Sequence, residues 1–257
     1  MEAFRAAAER WEVDILEMDV RATADGEIVV IHDPTVDRTT DGSGRVGEMT
    51  WARIRELDAG YTFVDPEGRR SFRGRGVRIP RFEEVVESFP RVRLNVDVKT
   101  PDAARGLVEI VRRHGARSRV LVAAEKERHR ASVRGYEGPW GATRSQIRRF
   151  WLLERVGLSA LFVSRADVLQ VPEHWQGRRI VTPGFVRAAH RRNLPVHVWT
   201  VDEEDDMRRL LAWGVDGIQT DRPDRLARVL VDAAGRPPPP GSGALSGDRS
   251  GAEPPPS

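Results

Sequence analysis

The sequence of 257 residues predicts a single α/β barrel, and three observations support this fold class. Beyond Pro80, short apolar runs alternate with helical patterns, which is typical of parallel strands joined by helices. Seven strand-like runs can be counted, close to the eight of a (β/α)8 barrel. Hydrophobic residues make up 39% of the chain, enough for one large core. We therefore expect a TIM-type barrel that lacks its first strand, with functional residues at the C-terminal strand ends.

The segment before the regular alternation is predicted to contain a helix, two strands and an insertion. The first ten residues are strong helix formers. Apolar and charged residues alternate over 13–20, and an Asp-Gly turn then leads into a second strand over 28–32. The polar, glycine-rich residues 33–79 contain one short helical pattern, at 51–57. We interpret residues 33–79 as a small insertion after the second strand.

The remaining elements follow from the alternation itself. Helices are expected near 81–89, 102–114, 126–134, 144–163, 183–192, 203–213 and 223–234. Strands are expected over 92–98, 119–123, 140–143, 167–171, 195–200 and 216–220. The predicted barrel thus spans residues 1–234. Residues 235–257 are rich in proline, glycine and serine and are expected to form a disordered tail, because they cannot bury enough surface to offset the entropy lost on ordering.

Composition narrows the classes of partner. The 42 basic and 39 acidic residues are interspersed, so nucleic acid is not an expected partner. The absence of cysteine excludes disulfides and thiolate metal sites. No apolar run approaches the roughly 18 residues that cross a bilayer, and Met1 leads into a charged segment instead of a signal peptide. We expect a cytoplasmic protein without stable membrane insertion, unless the true start lies upstream.

Charged side chains follow one face of two predicted strands, the first and the third. Glu17 and Asp19 share a face of the first, and Asn95, Asp97 and Lys99 share a face of the third. Burying unpaired charges is costly, so a fold that gathers them usually supplies a metal or an anionic ligand. A partly buried salt bridge between Lys99 and one acid is the alternative. Because the pattern occurs on two strands, we favour a hydrolytic metal site.

Several motifs, taken in order, carry a resemblance to a known family. They are DILEMDV at 14–20, TADGEIVVIHDP at 23–34, DRTTDG at 37–42, LDAG at 57–60, Ile79-Pro80, NVDVK at 95–99, HVWTV at 197–201 and GVDGIQTDRP at 214–223. Each fragment is weakly specific, but the ordered set closely resembles the glycerophosphodiester phosphodiesterase family. The resemblance implies a barrel of the phospholipase C-like phosphodiesterase kind with an insertion after its second strand.

The resemblance also implies an activity and a set of site residues. Family members hydrolyse small-molecule glycerophosphodiesters to glycerol 3-phosphate and an alcohol, using Mg²⁺ or Ca²⁺, whose preference for hard oxygen ligands fits carboxylates. Three carboxylates match the metal ligands of the family: Glu17, Asp19 and Asp97. Lys99 matches the cation beside the phosphate, and Trp199 matches a wall of the substrate pocket. His32 matches the general acid, although an imidazole held in a turn is the alternative for an isolated His-Asp pair.

Two departures from the family pattern leave alternatives open. Position 97 carries aspartate where many members carry glutamate, so we expect looser or water-mediated ligation there. The His-Arg-Gly and Pro-Glu-Asn motifs of the family are absent, and with them the first catalytic histidine. A start upstream of Met1 is our preferred explanation, and a catalytically impaired or inactive member is the alternative. A lysophospholipid-directed phosphodiesterase of the same barrel type is a third hypothesis.

Overall fold

Parallel strands paired in chain order form the framework of the structure, a computed structural model that describes residues 1–65 and 67–244. The strands are β1 (Ile15–Ala22), β2 (Ile28–Val30), β3 (Arg93–Val98), β4 (Val120–Ala123), β5 (Leu169–Pro172), β6 (His174–Trp175), β7 (Arg178–Arg179), β8 (Val196–Trp199) and β9 (Gly217–Ile218). β1, β3 and β4 pair in parallel, as do β5, β8 and β9. Parallel bridges from Val122 to Trp140 and from Gly141 to Val168 connect the two groups. The strands therefore follow one another as in a barrel, with residues 140–141 between β4 and β5.

Helices follow the strands, as the sequence pattern predicts. They are α1 (Glu2–Arg5), α2 (Trp51–Ile54), α3 (Phe82–Ser88), α4 (Ala103–Arg113), α5 (Glu127–Ser132), α6 (Arg144–Arg155), α7 (Pro183–His190), α8 (Glu204–Ala212) and α9 (Pro223–Ala234). A π-helical turn (Ala6–Arg10) extends α1, and short 3-10 helices occupy Val46–Glu48, Ser159–Leu161 and Pro240–Ala244.

Two of the predicted elements fall furthest short of their predicted length. The single helix predicted over 144–163 ends at Arg155, because Gly157 has a φ of 74°, a left-handed conformation that glycine adopts without strain and that terminates helices. The strand predicted over 140–143 is reduced to bridges at Trp140 and Gly141. Its neighbours β4 and β5 have four residues each, so little length is available for pairing.

The outward faces of the strands pack against the helices in two apolar clusters. In the first, β1 and β3 contribute six side chains that are at most 3% exposed: Leu16, Met18, Val20, Leu94, Val96 and Val98. In the second, the ring of Phe150 lies 5.1 Å from Phe162 and 5.0 Å from Phe185, centroid to centroid. Because side chains alternate along a strand, the opposite faces of β1 and β3 point into the interior of the sheet.

Residues 33–79 leave the main sheet after β2. They contain α2 and the 3-10 helix Val46–Glu48, and they bury a separate small cluster with β2: Val29, Ile31, Val36, Val46, Ile54, Leu57 and Ile79. This cluster contains no residue of α4 to α9, so the segment has its own apolar contacts.

The sheet does not close within the described part of the chain. There, no strand joins β9 to β1, and β2 pairs with β1 only over Val20–Ala22. A cavity of about 1930 Å³ occupies the interior of the sheet and includes Phe4, Ile218 and Leu226 in its lining. The edge of β1 that faces away from β3 is therefore unpaired over Ile15–Met18.

The end of the described chain returns to the N-terminal segment. The Arg236 guanidinium contacts Asp14 with N–O distances of 2.7 and 3.1 Å, and Pro239 is buried. Gly241 lies so close to the N-terminal segment that a Cβ there would be 2.6 Å from Cγ of Arg10. The predicted tail begins at 235, and its residues 245–257 lie outside the described part of the structure.

Candidate active site

The register between β1 and β3 places four polar side chains in two adjacent pairs. Glu17 is opposite Asn95, and Asp19 is opposite Asp97. Lys99 follows β3 directly, and its backbone N–H donates to the carbonyl of Val20 at 3.2 Å, which continues the ladder. The Lys99 Nζ lies 2.8 Å from Oδ1 of Asp19 and 2.6 Å from Oδ2 of Asp97. The ammonium therefore bridges carboxylates from two neighbouring strands.

The charges in this cluster shift one another's protonation. Glu17 is exposed to the cavity, yet its partial removal from water and the neighbouring charges of Asp19 and Asp97 raise its pKa to about 7, with Lys99 opposing the shift. Burial alone would lower the pKa of Lys99, but the adjacent Asp97 and Asp19 outweigh it and raise that pKa above its ordinary value. Lys99 is thus a permanent cation here, and Glu17 is a carboxyl that gains from a further positive charge.

The donor set fits a divalent cation in its chemistry. The cluster offers three carboxylates, which are the hard oxygen ligands that Mg²⁺ and Ca²⁺ take. Oδ1 of Asp97 and Oδ1 of Asn95 are buried and have no hydrogen-bond partner among the described residues. A buried acceptor without a partner is costly, and a bound cation would satisfy it.

A tighter acidic group lies on the outer helices. Within the described chain, the one set of three acidic or histidine side chains whose ligand atoms all lie within 4.8 Å of one another is Glu83, Glu87 and His114. The three predicted ligands do not reach that spacing. Oε1 of Glu83 already accepts from Arg113 at 2.5 Å and contacts Nε2 of His114 at 2.8 Å. We therefore interpret the group on α3 and α4 as an ion-pair network that joins the two helices.

His32 follows β2 at the edge of the same cavity. Its Nδ1 lies 2.7 Å from Oδ1 of Asp33, and Asp33 in turn accepts from Nε of Arg38 at 2.5 Å. These hydrogen bonds, first from Arg38 and then from His32, lower the pKa of Asp33 to about 2. The His32 side chain is 65% exposed, and its carbonyl accepts two bonds from Arg21. The imidazole is therefore held by an ionised carboxylate while its other edge remains accessible.

Trp199 ends β8 at the mouth of the cavity. The last residue of β5, Pro172, is its partner in the parallel pairing of β5 and β8. The Trp199 side chain is 42% exposed and lines the cavity, which also includes Asp19, Asp97 and Lys99 in its wall. All six predicted site residues line this cavity, although direct contacts connect only Asp19, Asp97 and Lys99.

Sequence reasoning missed three features around these residues. The pairing of Arg38 with Asp33 spans a turn and has no periodic pattern, although both residues lie in the quoted motifs. Asp221 adds to the upward shift of the Glu17 pKa, and its motif after β9 was a usable signal. The β6–β7 hairpin lies at the mouth of the cavity, and its Gln176-Gly177 turn was the available signal.

Comparison with known proteins decides the family. The model of the glycerophosphoryl diester phosphodiesterase family matches residues 1–133 and 142–225 of this chain. The chain belongs to this family. The family resemblance predicted from the sequence is therefore confirmed.

A curated member of the phosphodiesterase family is similar over most of this chain. The probable glycerophosphodiester phosphodiesterase 2 of Mycobacterium tuberculosis is 33% identical over 237 residues, which cover 90% of this chain and 84% of that protein. The family match at 1–133 and 142–225 includes both charged strands and the motifs after β8.

Solved structures of the phosphodiesterase family have the same fold. The glycerophosphodiester phosphodiesterase of Agrobacterium tumefaciens is 28% identical with a TM-score of 0.67, and the match covers 85% of this chain and 87% of that one. A phosphodiesterase of Oleispira antarctica, solved with the product sn-glycerol-3-phosphate, has a TM-score of 0.70 at 20% identity and covers 89% of this chain and 88% of that one. The fold is therefore of the TIM-barrel phosphodiesterase type, as predicted, although the sheet is open. Among the helices at 1–65 and 67–244, none combines the length and the apolar composition of a membrane span.

Proposed function

We propose that this chain hydrolyses glycerophosphodiesters to glycerol 3-phosphate and an alcohol with the help of a divalent cation. One observation carries the proposal: the Lys99 ammonium lies between the carboxylates of Asp19 and Asp97, in the same cavity as Glu17. Family membership supports the reaction class, and the product found in the Oleispira antarctica structure supports a small glycerol phosphate as ligand.

Each residue has a role that its surroundings support. Glu17, Asp19 and Asp97 would hold Mg²⁺ or Ca²⁺, which would polarise a phosphate oxygen and offset the charge that develops on it. Lys99 binds a second phosphate oxygen, because its charge is fixed and its position is held by two carboxylates. Trp199 forms a wall beside the glycerol or the alcohol.

His32 is the proton donor of the proposed reaction. Water adds to phosphorus and releases a proton to bulk solvent, the bond from phosphorus to the alcohol oxygen breaks, and His32 gives its proton to that oxygen. Asp33, whose own pKa is lowered to about 2, holds the imidazole through Nδ1 and so fixes the orientation of the ring. The accessible Nε2 edge is then directed toward the leaving group.

The proposal is tested by hydrolysis of glycerophosphocholine with and without a chelator. We expect chelation to abolish turnover, and Glu17→Gln to lower kcat/KM by roughly 100-fold or more, because a ligand carboxylate is lost. Glu109→Gln is the matched control, since it removes the same charge from an exposed position of α4 outside the cavity. Unchanged turnover in Glu17→Gln, measured on protein with a normal melting temperature, would contradict the site assignment.

The same assay separates the related hypothesis of a lipid substrate. We expect glycerophosphocholine in detergent-free buffer to be hydrolysed with a higher kcat/KM than lysophosphatidylcholine in micelles. A reversed preference would favour a lysophospholipid-directed enzyme of the same barrel type.

We propose further that an eighth strand between β9 and β1 is needed for full activity. β1 is unpaired over Ile15–Met18 on the side away from β3, and the cavity extends to that edge. A strand there would close the barrel and add side chains opposite Glu17. If in-frame upstream sequence encodes such a strand, we expect the longer polypeptide that includes it to be at least about 100-fold more active, because a positioned general base is worth about that much. Equal activity of the two forms would overturn this part of the proposal, and no activity in either would favour an inactive member.

A further inference from the structure

A group of cations at the mouth of the cavity has no role in the chemistry proposed above. We call it the cationic lip. It consists of three arginines, Arg144 and Arg148 of α6 and Arg178 of β7, together with the neutral side chain of Trp175 on β6, and all four line the same cavity as Lys99. α6 begins just after the strand position at 140–141, and the β6–β7 hairpin follows the last residue of β5. Both segments thus extend from C-terminal strand ends, where Lys99 and Trp199 also lie.

One member of the lip, Arg144, contacts the indole of Trp175. The Arg144 guanidinium lies 4.5 Å from the centroid of the Trp175 ring. Arg178 is the cross-strand partner of Trp175 in the hairpin. Arg148 is one helical turn after Arg144, so the two guanidinium groups project from the same face of α6. Arg144 and Arg178 thus lie beside Trp175, and Arg148 lines the same cavity one helical turn further along α6.

The hairpin that carries two members of the lip is anchored at its base. Its turn, Gln176-Gly177, has positive φ angles of 48° and 73°, the signature of a type I′ turn, which suits the twist of a two-residue hairpin. Glu173, just before β6, accepts bonds of 2.8 and 3.0 Å from the two terminal nitrogens of Arg209 on α8. The lip is therefore positioned before any ligand binds, which reduces the entropy cost of binding.

The charge of the lip is only partly balanced. Arg144 forms an ion pair with Glu125. The side chains of Arg148 and Arg178 form no ion pair and no hydrogen bond with any residue that the structure describes. Two exposed guanidinium groups beside a phosphodiester site attract an anion, and their planar geometry suits a phosphate or a carboxylate.

We propose that the cationic lip is a subsite for a second anionic group on the alcohol part of the substrate. The inference rests on the proposed function and names its substrate class: glycerophosphodiesters whose alcohol carries a further phosphate or carboxylate. A quaternary ammonium alcohol gains nothing from the lip itself, because the Trp175 ring is already covered by the Arg144 cation. Arg148 and Arg178 would also repel such an alcohol.

The test compares two diesters that differ only in this charge. They are glycerophosphoglycerol and the same compound with a terminal phosphate on the second glycerol. We expect kcat/KM to be about tenfold higher for the phosphate-bearing diester, the gain of one charge-assisted contact. The double variant Arg148→Gln, Arg178→Gln should lose this advantage through a higher KM, with kcat and the efficiency on glycerophosphoglycerol changed less than about twofold.

A matched control distinguishes a binding subsite from a nonspecific effect of net charge. Arg149→Gln removes a positive charge next to Arg148, but Arg149 lies over the ring of Phe162 and does not line the cavity. This variant should retain the preference for the phosphate-bearing diester. A loss equal to that of the double variant would overturn the subsite, because it would indicate a nonspecific effect of net charge.

Binding without turnover distinguishes failure of the subsite from failure of the phosphodiesterase assignment. Calorimetric titration of the full chain with each diester in chelator measures affinity when hydrolysis is blocked. Tighter binding of the phosphate-bearing diester, lost in the double variant, supports the subsite even if neither compound is ever hydrolysed. Equal affinities overturn it, and hydrolysis of both diesters with equal efficiency overturns it while leaving the phosphodiesterase function intact.

Discussion

The two edges of β1 differ in how completely they are paired. Along one edge, β3 pairs with Ile15–Val20, and along the other, β2 pairs only with Val20–Ala22. The paired edge holds the cluster of Glu17, Asp19, Asp97 and Lys99, whereas the unpaired edge faces the cavity. The geometry of the charged cluster is therefore set by a part of the sheet that is fully paired. The unpaired edge bears only on the proposed eighth strand, because no described strand joins β9 to β1 there.

The largest expected difference between the two edges is in stability. Leu94 on β3 is 1% exposed, so Leu94→Ala should lower the free energy of unfolding by about 2–5 kcal/mol through lost burial and a cavity. Ile15, at the start of the unpaired edge, is only partly buried, and Ile15→Ala should cost roughly 1 kcal/mol. Urea unfolding curves measure both values. Equal costs would mean that the two edges are packed alike.

The next effect tests the chemistry of the paired edge. Asp97→Asn removes the negative charge that pairs with Lys99 and replaces a carboxylate oxygen that is a proposed metal ligand. We therefore expect kcat/KM for glycerophosphocholine to fall by about 100-fold or more. The melting temperature should change little, since the shape of the side chain is retained. Retention of most activity would show that the cluster on the paired edge is structural.

A smaller loss of activity is expected from a substitution at the start of the insertion, next to the unpaired edge. Asp33→Asn weakens the hydrogen bonds that hold His32 and Arg38, and we expect kcat to fall about tenfold with KM nearly constant, because general acid catalysis depends on orientation. His32→Ala is the reference, with a loss of about 100-fold. An Asp33→Asn enzyme as active as the natural protein would remove Asp33 from the positioning role.

The smallest expected effect is on the pH dependence of stability, through His197 on β8. Burial lowers the pKa of His197 on β8, although Asp216 opposes the shift. The unfolded chain therefore binds a proton near pH 6.5 that the folded chain resists, so stability should decrease as the pH falls below about 6.5, by less than about 1.4 kcal/mol per pH unit. His197→Gln should flatten this dependence, measured by urea midpoints at pH 5.5 and 7.5. An unchanged slope would assign the effect to other groups.

The charged cluster could be predicted from the sequence because it depends on local rules. Alternation along a strand places Glu17 with Asp19 and Asp97 with Lys99, and parallel pairing in chain order makes the two strands neighbours. The family motifs then added His32 and Trp199. Helix positions after Pro80 followed from the same periodicity, and Gly157 was a readable stop within the overlong helix.

The remaining features depend on contacts that no local pattern encodes. Arg144 stacks on Trp175, 31 positions away, across an intervening helix and strand. The distances among the three carboxylates depend on the position of the Lys99 ammonium between Asp19 and Asp97. The bridges at Trp140 and Gly141 depend on the length of the strands on both sides. Each of these outcomes is decided by tertiary packing.

The contact between Arg236 and Asp14 has a practical consequence for protein engineering. Asp14 and Arg236, near the two ends of the described chain, lie side by side just before the first residue of β1. A short linker could therefore join the two terminal segments without crossing the molecule. New termini could then be opened in the exposed loop of the insertion near Gly68. Such a circular permutant would leave the cavity mouth free for labelling with a fluorescent reporter.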